Sequence, residues 1–82
     1  MKVELKLFGA FRVLGDTLSL DMSDASTIGD LGEAIKPHLG EHSNLLDVLP
    51  VSRFATDSEI LSDSYLVKDG MHLAILPPVS GG

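Results

Sequence analysis

Apolar and polar residues alternate without a break at the start of the chain. Across Lys2–Leu7, Val3, Leu5 and Leu7 fall on one side and Lys2, Glu4 and Lys6 on the other, the period of a half-buried strand. Thr17–Met22 repeats the pattern with Leu18, Leu20 and Met22. The intervening "GAFRVLGD" ends in a Gly-Asp turn signal, so two strands with a short connection are predicted. The period then changes. Ile28, Leu31, Ile35 and Leu39 follow the i, i+3, i+7, i+11 spacing of one helical stripe. Thr27, three residues ahead of Asp30, has the form of a capping box, with Asp where Glu is more usual. Gly29 and Gly32 each weaken such a helix by up to about 1 kcal/mol relative to Ala; close approach of helix to sheet is the expected reason for them. Pro37 should mark the last turn or a kink, and Gly40 the end. One more helical turn is expected in "SNLLDVL".

The final third reads as short strands. "VSRFA" and "EIL" are weak candidates, whereas "MHLAILP" after the "KDG" turn is a strong one. Two strands, a helix and further strands predict an α+β fold, a mixed sheet of 4–5 strands with one main helix packed across it. A single domain over residues 1–77 is expected, followed by an extended, flexible tail over 78–82.

Composition narrows the chemistry. Among 82 residues there is no cysteine, which removes disulfides, thiolate nucleophiles and Cys-ligated zinc together. With 44% hydrophobic residues the chain is no disordered acidic segment, despite a net charge of −6. Basic residues form no run, and a nucleic-acid binder needs a basic stripe to displace counterions from phosphates; no nucleic-acid partner is expected. No apolar run approaches the roughly 20 residues of a membrane span, and Met1 opens no basic-then-apolar leader. The expectation is a cytoplasmic protein without a membrane partner.

Side chains that could work as a catalyst are scarce. His38 and His42 are four apart, but Pro37 and Gly40 interrupt the helix that would align them. His72 stands alone, and no metal site is expected. The acid pairs Asp21/Asp24 and Asp57/Glu59 flank turns, whereas carboxylates for acid–base work need a partly desolvated cleft. No serine lies in a G-x-S-x-G context.

The ending "PPVSGG" is different. Pro77 and Pro78 cannot donate to a sheet and hold extended geometry, so they stop pairing and project Val79, Ser80, Gly81 and Gly82 away from the body. Gly81 and Gly82 lack a Cβ, leaving the last carbonyl open to approach and the end slim enough for a narrow channel. A terminal carboxylate is an anion at neutral pH and a poor electrophile. It acts only when a partner activates it, which is the profile of a substrate arm.

These residues carry a resemblance. "KLF" with "FRVLG" after it, the helix after "AST", the "DG" turn and above all "LPPVSGG" make the chain similar to the small, sulfur-carrying subunit of molybdopterin synthase, of the MoaD/ThiS-type ubiquitin-like β-grasp family. The resemblance spans nearly the whole chain. It implies that a ubiquitin-activating-type adenylating enzyme joins the Gly82 carboxylate to AMP, that sulfur replaces AMP to leave a thiocarboxylate, and that this sulfur goes to a pyranopterin precursor. The chain would be the non-catalytic, sulfur-donating subunit of a sulfurtransferase, in a heterotetramer with the large synthase subunit. It would bind no cofactor itself; ATP would be consumed by the activating partner. Gly82 would react, with Gly81 as its neck. Phe8, Ile60 and Leu76 match the family's exposed apolar contacts on the sheet, Arg12 matches a basic contact, and Pro77, Pro78, Val79 and Ser80 would line the path into the partner.

Some positions depart from the family pattern. Val13 stands where an acid usually follows the basic residue, Thr56-Asp57-Ser58 replaces a "V-N-G/Q" turn, and Met71-His72-Leu73 follows Asp69-Gly70 in place of "D-E-V". Those surface changes leave three alternatives open: a carrier for thiamine, tRNA thiolation or another product, a ubiquitin-like protein modifier, or an acidic domain that merely ends in glycines.

Overall fold

The computed structural model describes residues 1–78. Lys2–Leu7 forms strand β1 with alternate residues buried. Thr17–Asp21 forms β2, antiparallel to it with Leu5 opposite Leu18 and Val3 opposite Leu20. The connection is more than a turn. Gly9–Leu14 coils into a 3-10 helix that drives Phe11 fully into the core. In a 3-10 helix residues three apart lie in line, and Leu14 packs partly against the same core.

Helix α1, Ile28–Ile35, starts with a complete capping box. The Asp30 N–H donates to Thr27 Oγ1 at 3.2 Å, and the Thr27 N–H donates to Asp30 Oδ2 at 2.9 Å. The Ile28 and Gly29 N–H groups donate to the carbonyls of Tyr65 and Asp63, each at 2.9 Å. The donors that a helix start leaves free are thus satisfied by its own cap and by the loop before the last strand. The stripe continues past Ile35 through a 3-10 turn over Lys36–Leu39, where Pro37 sits in the first turn and needs no donor. Ile28, Leu31, Ile35 and Leu39 are all buried, and Gly40, at φ +53°, ends the run as expected.

The expected reason for the helix glycines does not hold. A Cβ on Gly29 would lie 3.5 Å from the Asp63 carbonyl oxygen, so this residue faces the loop and not the sheet. A Cβ on Gly32 would find nothing nearer than Phe54 Cε2 at 3.9 Å. Both are ordinary contact distances, so neither glycine is required by close packing.

A short helix α2, Asn44–Val48, adds Leu45 to the core. The weak candidates are strands: β3 is Arg53–Ala55 and β4 is Ile60–Leu61. Between them, Thr56 Oγ1 accepts from the N–H groups of Ser58 and Glu59, which tightens the hairpin. Strand β5, Met71–Leu76, runs parallel to β1 with Val3 opposite Met71. Gly70, at φ +77°, donates its N–H to the Lys2 carbonyl at 2.8 Å, and Asp69 Oδ1 accepts from the Lys2 N–H at 2.7 Å, pinning that register. The five-stranded sheet has the order β2-β1-β5-β3-β4. Its core side holds Val3, Leu5, Leu7, Phe54, Leu73 and Ile75 against α1.

Candidate functional site

Alternation along each strand sends the remaining residues to the opposite face. The ladder registers align one row across all five strands: Thr17, Lys6, Ala74, Ala55 and Ile60. Ser19, Glu4 and His72 form the adjacent row. Ala74 and Ala55 are small, so the middle of this face is low. It forms a depression of about 460 Å³ whose lining includes Phe8, Leu76, Lys6, Thr56 and Asp57. Ala55 is buried, yet it stands outside the apolar cluster on the helix side.

The walls combine apolar surface with charge. Phe8, in extended backbone just after β1, is 36% exposed. Lys6 Nζ lies 5.4 Å from the centre of its ring, within cation–π range. The parallel ladder sets Glu4 opposite His72, with Glu4 Oε2 3.3 Å from His72 Nδ1.

The residues singled out from sequence fall into three groups. Phe8 and Leu76 come together on the depression, as the parity of their strands implies. Ile60 is on the same face, 62% exposed on the edge strand and paired with Ala55. Pro77 is half-buried and Pro78 is exposed. Arg12 is exposed on the 3-10 helix, and its nearest partner is its own neighbour Asp16, with Nη2 3.3 Å from Oδ1; it does not line the depression. Val79, Ser80, Gly81 and Gly82 lie outside the described residues. Sequence reasoning missed Ala55 and Gly9. Ala55 reaches the site through the non-local β3–β5 pairing, and Gly9 approaches Pro77 across the ends of β1 and β5.

The other candidates stay apart. Asp21, Asp24, Asp57 and Glu59 are exposed, and Asp21 Oδ2 lies 3.7 Å from Lys2 Nζ. His38 and His42 belong to different local segments on either side of Gly40. Among the described residues no group of three or more His, Asp or Glu side chains could hold a metal, and no helix is long and apolar enough to cross a membrane. A second hollow of about 290 Å³ lies on the helix side, floored by Ile28, Gly32, Phe54 and Leu61. Lys36 on its rim is paired with Glu33 at 2.7 Å.

A mixed five-stranded sheet gripping one helix, with its other face left uncovered by the described residues, is the ubiquitin-like β-grasp architecture. The model of the ThiS family matches residues 5–82, and the chain belongs to that family. The sequence search of curated proteins found no match. Among solved structures, the chain is similar to SAMP1 of Haloferax volcanii, small archaeal modifier protein 1, at 25% identity over 100% of both chains with a TM-score of 0.74. It is similar to a chain in the complex of subunits 1 and 2 of the molybdopterin-converting factor from Helicobacter pylori, at 25% identity over 100% of both chains with a TM-score of 0.61. The ubiquitin-like domain of Dsk2 from Plasmodium falciparum shares the fold at 19% identity, over 95% of this chain and 97% of that one, with a TM-score of 0.67.

Proposed function

We propose that this chain is a sulfur carrier whose Gly82 carboxyl group is converted to a thiocarboxylate, and that it serves as the small subunit of molybdopterin synthase. The observation that carries the reading is the family match, which runs through the closing Gly81-Gly82. The likeness to a chain of the H. pylori molybdopterin-converting factor, whose two subunits form a complex, supports a large-subunit partner. The open face with Phe8, Leu76 and Ile60 offers that partner apolar contacts that folding leaves unused.

The chemistry needs two partners in turn. A carboxylate oxygen of Gly82 attacks the α-phosphorus of ATP on an adenylating enzyme of the ubiquitin-activating type. Pyrophosphate leaves and a mixed anhydride with AMP forms. A persulfide sulfur then attacks the carbonyl carbon and displaces AMP, giving an acyl disulfide. A second thiol cleaves its S–S bond, forming a disulfide with the donor and releasing the thiocarboxylate. That group enters the large subunit and transfers sulfur to the pyranopterin precursor. A dithiolene takes two sulfurs, so two charged carriers, or two rounds of charging, serve each pterin. The slim Gly81-Gly82 end suits both active sites, because it presents only backbone to a narrow channel.

Likeness to SAMP1 favours a second reading, a protein modifier joined through Gly82 to lysines of other proteins. Intact-mass analysis of the protein from its native host separates the two. A gain equal to the difference between a sulfur and an oxygen atom is expected for the carrier. Conjugate ladders that vanish when Gly82 is deleted, with no such gain, would replace the carrier with the modifier.

A further inference from the structure

The ends of β1 and β5 meet at one contact. Extending the parallel register of Leu7 with Ile75 by two residues sets Gly9 beside Pro77. Neither strand goes further. Pro77 has no N–H for the ladder, and β1 turns into the 3-10 helix at Gly9, whose φ is +56°. A Cβ placed on Gly9 would lie 2.6 Å from Pro77 Cγ, 3.6 Å from its Cδ and 3.8 Å from its Cβ. All three nearest atoms belong to one ring. Carbon atoms rest about 3.5–4.0 Å apart, so a side chain here would force that ring away by about 1 Å.

Two other glycines isolate what is special about this one. Gly40 and Gly70, at φ +53° and +77°, share the left-handed backbone, but a Cβ on either would meet nothing within 4 Å. They need only the conformation, whereas Gly9 needs both the conformation and the empty space. The turn that carries Gly9 is rigidly based, because Phe11 within it is fully buried. Phe8, on the open sheet face, immediately precedes it.

We propose that Gly9 is a positioning residue: it seats the Pro77 ring against the turn after β1 and so fixes the heading with which the chain leaves the sheet. The proposal rests on the reading that Gly82 reacts at its carboxyl group. A partner that grips the face through Phe8 and Leu76 then holds the root of the reacting arm in a fixed relation to its own active site. Displacing a reacting group by about 1 Å can slow a reaction about a hundredfold. An arm of residues 79–82 reaches at most about 14 Å, too short to absorb an arbitrary change of direction at its root.

The test is ATP–pyrophosphate exchange by the host's adenylating enzyme, with full-length carrier as the acceptor of AMP. Gly9→Ala is expected to lower kcat at least about tenfold with KM changed by no more than about threefold, since the docking face is kept. Gly40→Ala, which also places a side chain at positive φ but without the clash, should stay within about twofold of wild type in kcat. In a Pro77→Ala background, Gly9→Ala should add no more than Gly40→Ala does. Equal effects of Gly9→Ala and Gly40→Ala, or an undiminished effect without the proline ring, would overturn the seat. The wild-type protein gives a reading that needs no folded variant: nuclear Overhauser contacts between the Gly9 α-protons and the Pro77 γ-protons are expected, and their absence overturns the proposal. Failure of wild type to support exchange would instead count against the Gly82 reading, leaving the Overhauser contacts to judge the seat.

Discussion

Ile60 and Leu61 are adjacent aliphatic residues on a two-residue strand, and they face opposite ways. Ile60 is 62% exposed on the open face, while Leu61 is 5% exposed against the helix. Replacing each by Ala separates docking from folding. Fully burying an Ile side chain is worth about 1.5–3 kcal/mol. A partner that covers the exposed share of Ile60 therefore gains about 1–2 kcal/mol from it, about 5- to 30-fold in Kd. Folding draws little on this side chain, and the loss of strand propensity adds about 1 kcal/mol at most. Leu61→Ala removes packed core volume and is expected to cost about 2–5 kcal/mol. Titration calorimetry against the large synthase subunit of the same organism, with thermal melts of both variants, measures the two effects. Ile60→Ala should lose affinity while melting within about 4–8 °C of wild type, and Leu61→Ala should melt well below both. A folded Ile60→Ala variant that binds as tightly as wild type would remove Ile60 from the docking surface. Equal melting temperatures would refute the assignment of the two faces.

Gly32→Ala should raise stability by up to about 1 kcal/mol, because the new Cβ meets nothing nearer than 3.9 Å and the helix loses a glycine. Differential scanning calorimetry checks it, and a lower melting temperature would show hidden crowding. Thr27→Ala removes the acceptor for the Asp30 N–H and should cost about 0.5–2 kcal/mol in a denaturant titration; Thr27→Ser should keep most of it. One alanine added after Gly82 should abolish charging without moving the melting temperature, read by intact mass and a melt on the same sample. Retained charging would contradict attack at the Gly82 carboxyl group.

What was legible in the sequence was local. The alternation over Lys2–Leu7 and the stripe from Ile28 to Leu39 each repeat within one element, so they predicted β1 and α1 with its cap. The 3-10 helix was not legible, since only Phe11 and Leu14 carry its spacing and two residues cannot set a period. Strands β3 and β4 were faint because they are three and two residues long; pairing with β5 and with each other supports them, not their own pattern. The site divides the same way. Phe8 and Leu76 could be assigned to the open face by counting parity along their own strands. Ala55 could not, because its place opposite Ala74 depends on a register set between distant segments. Gly9 looked like part of a turn; the three-dimensional contact with Pro77 is what distinguishes it.

Why a small domain leaves half its sheet uncovered follows from its dimensions. Five strands about 4.8 Å apart make a sheet about 20 Å wide, and a helix of eight residues is about 12 Å long. Helix α1 therefore needs help from Leu39, Leu45 and Leu49 to close the helix side alone, and the described residues have no element left for the other. The open face limits its apolar area by putting Ala74 and Ala55 at its centre. Those small residues also leave room for side chains of a partner, so the choice that restrains exposed apolar surface creates the recess. Strand β5 joins this face to the end proposed to react, since it carries His72, Ala74 and Leu76 and then leads directly into Pro77. It is bonded on both sides, to β1 and to β3. Edges and termini open locally at little free-energy cost, whereas central strands open only at a cost approaching that of global unfolding. An arm rooted in an edge strand would inherit that fraying. Because Pro77 follows β5, the chain leaves the sheet from a strand bonded on both sides.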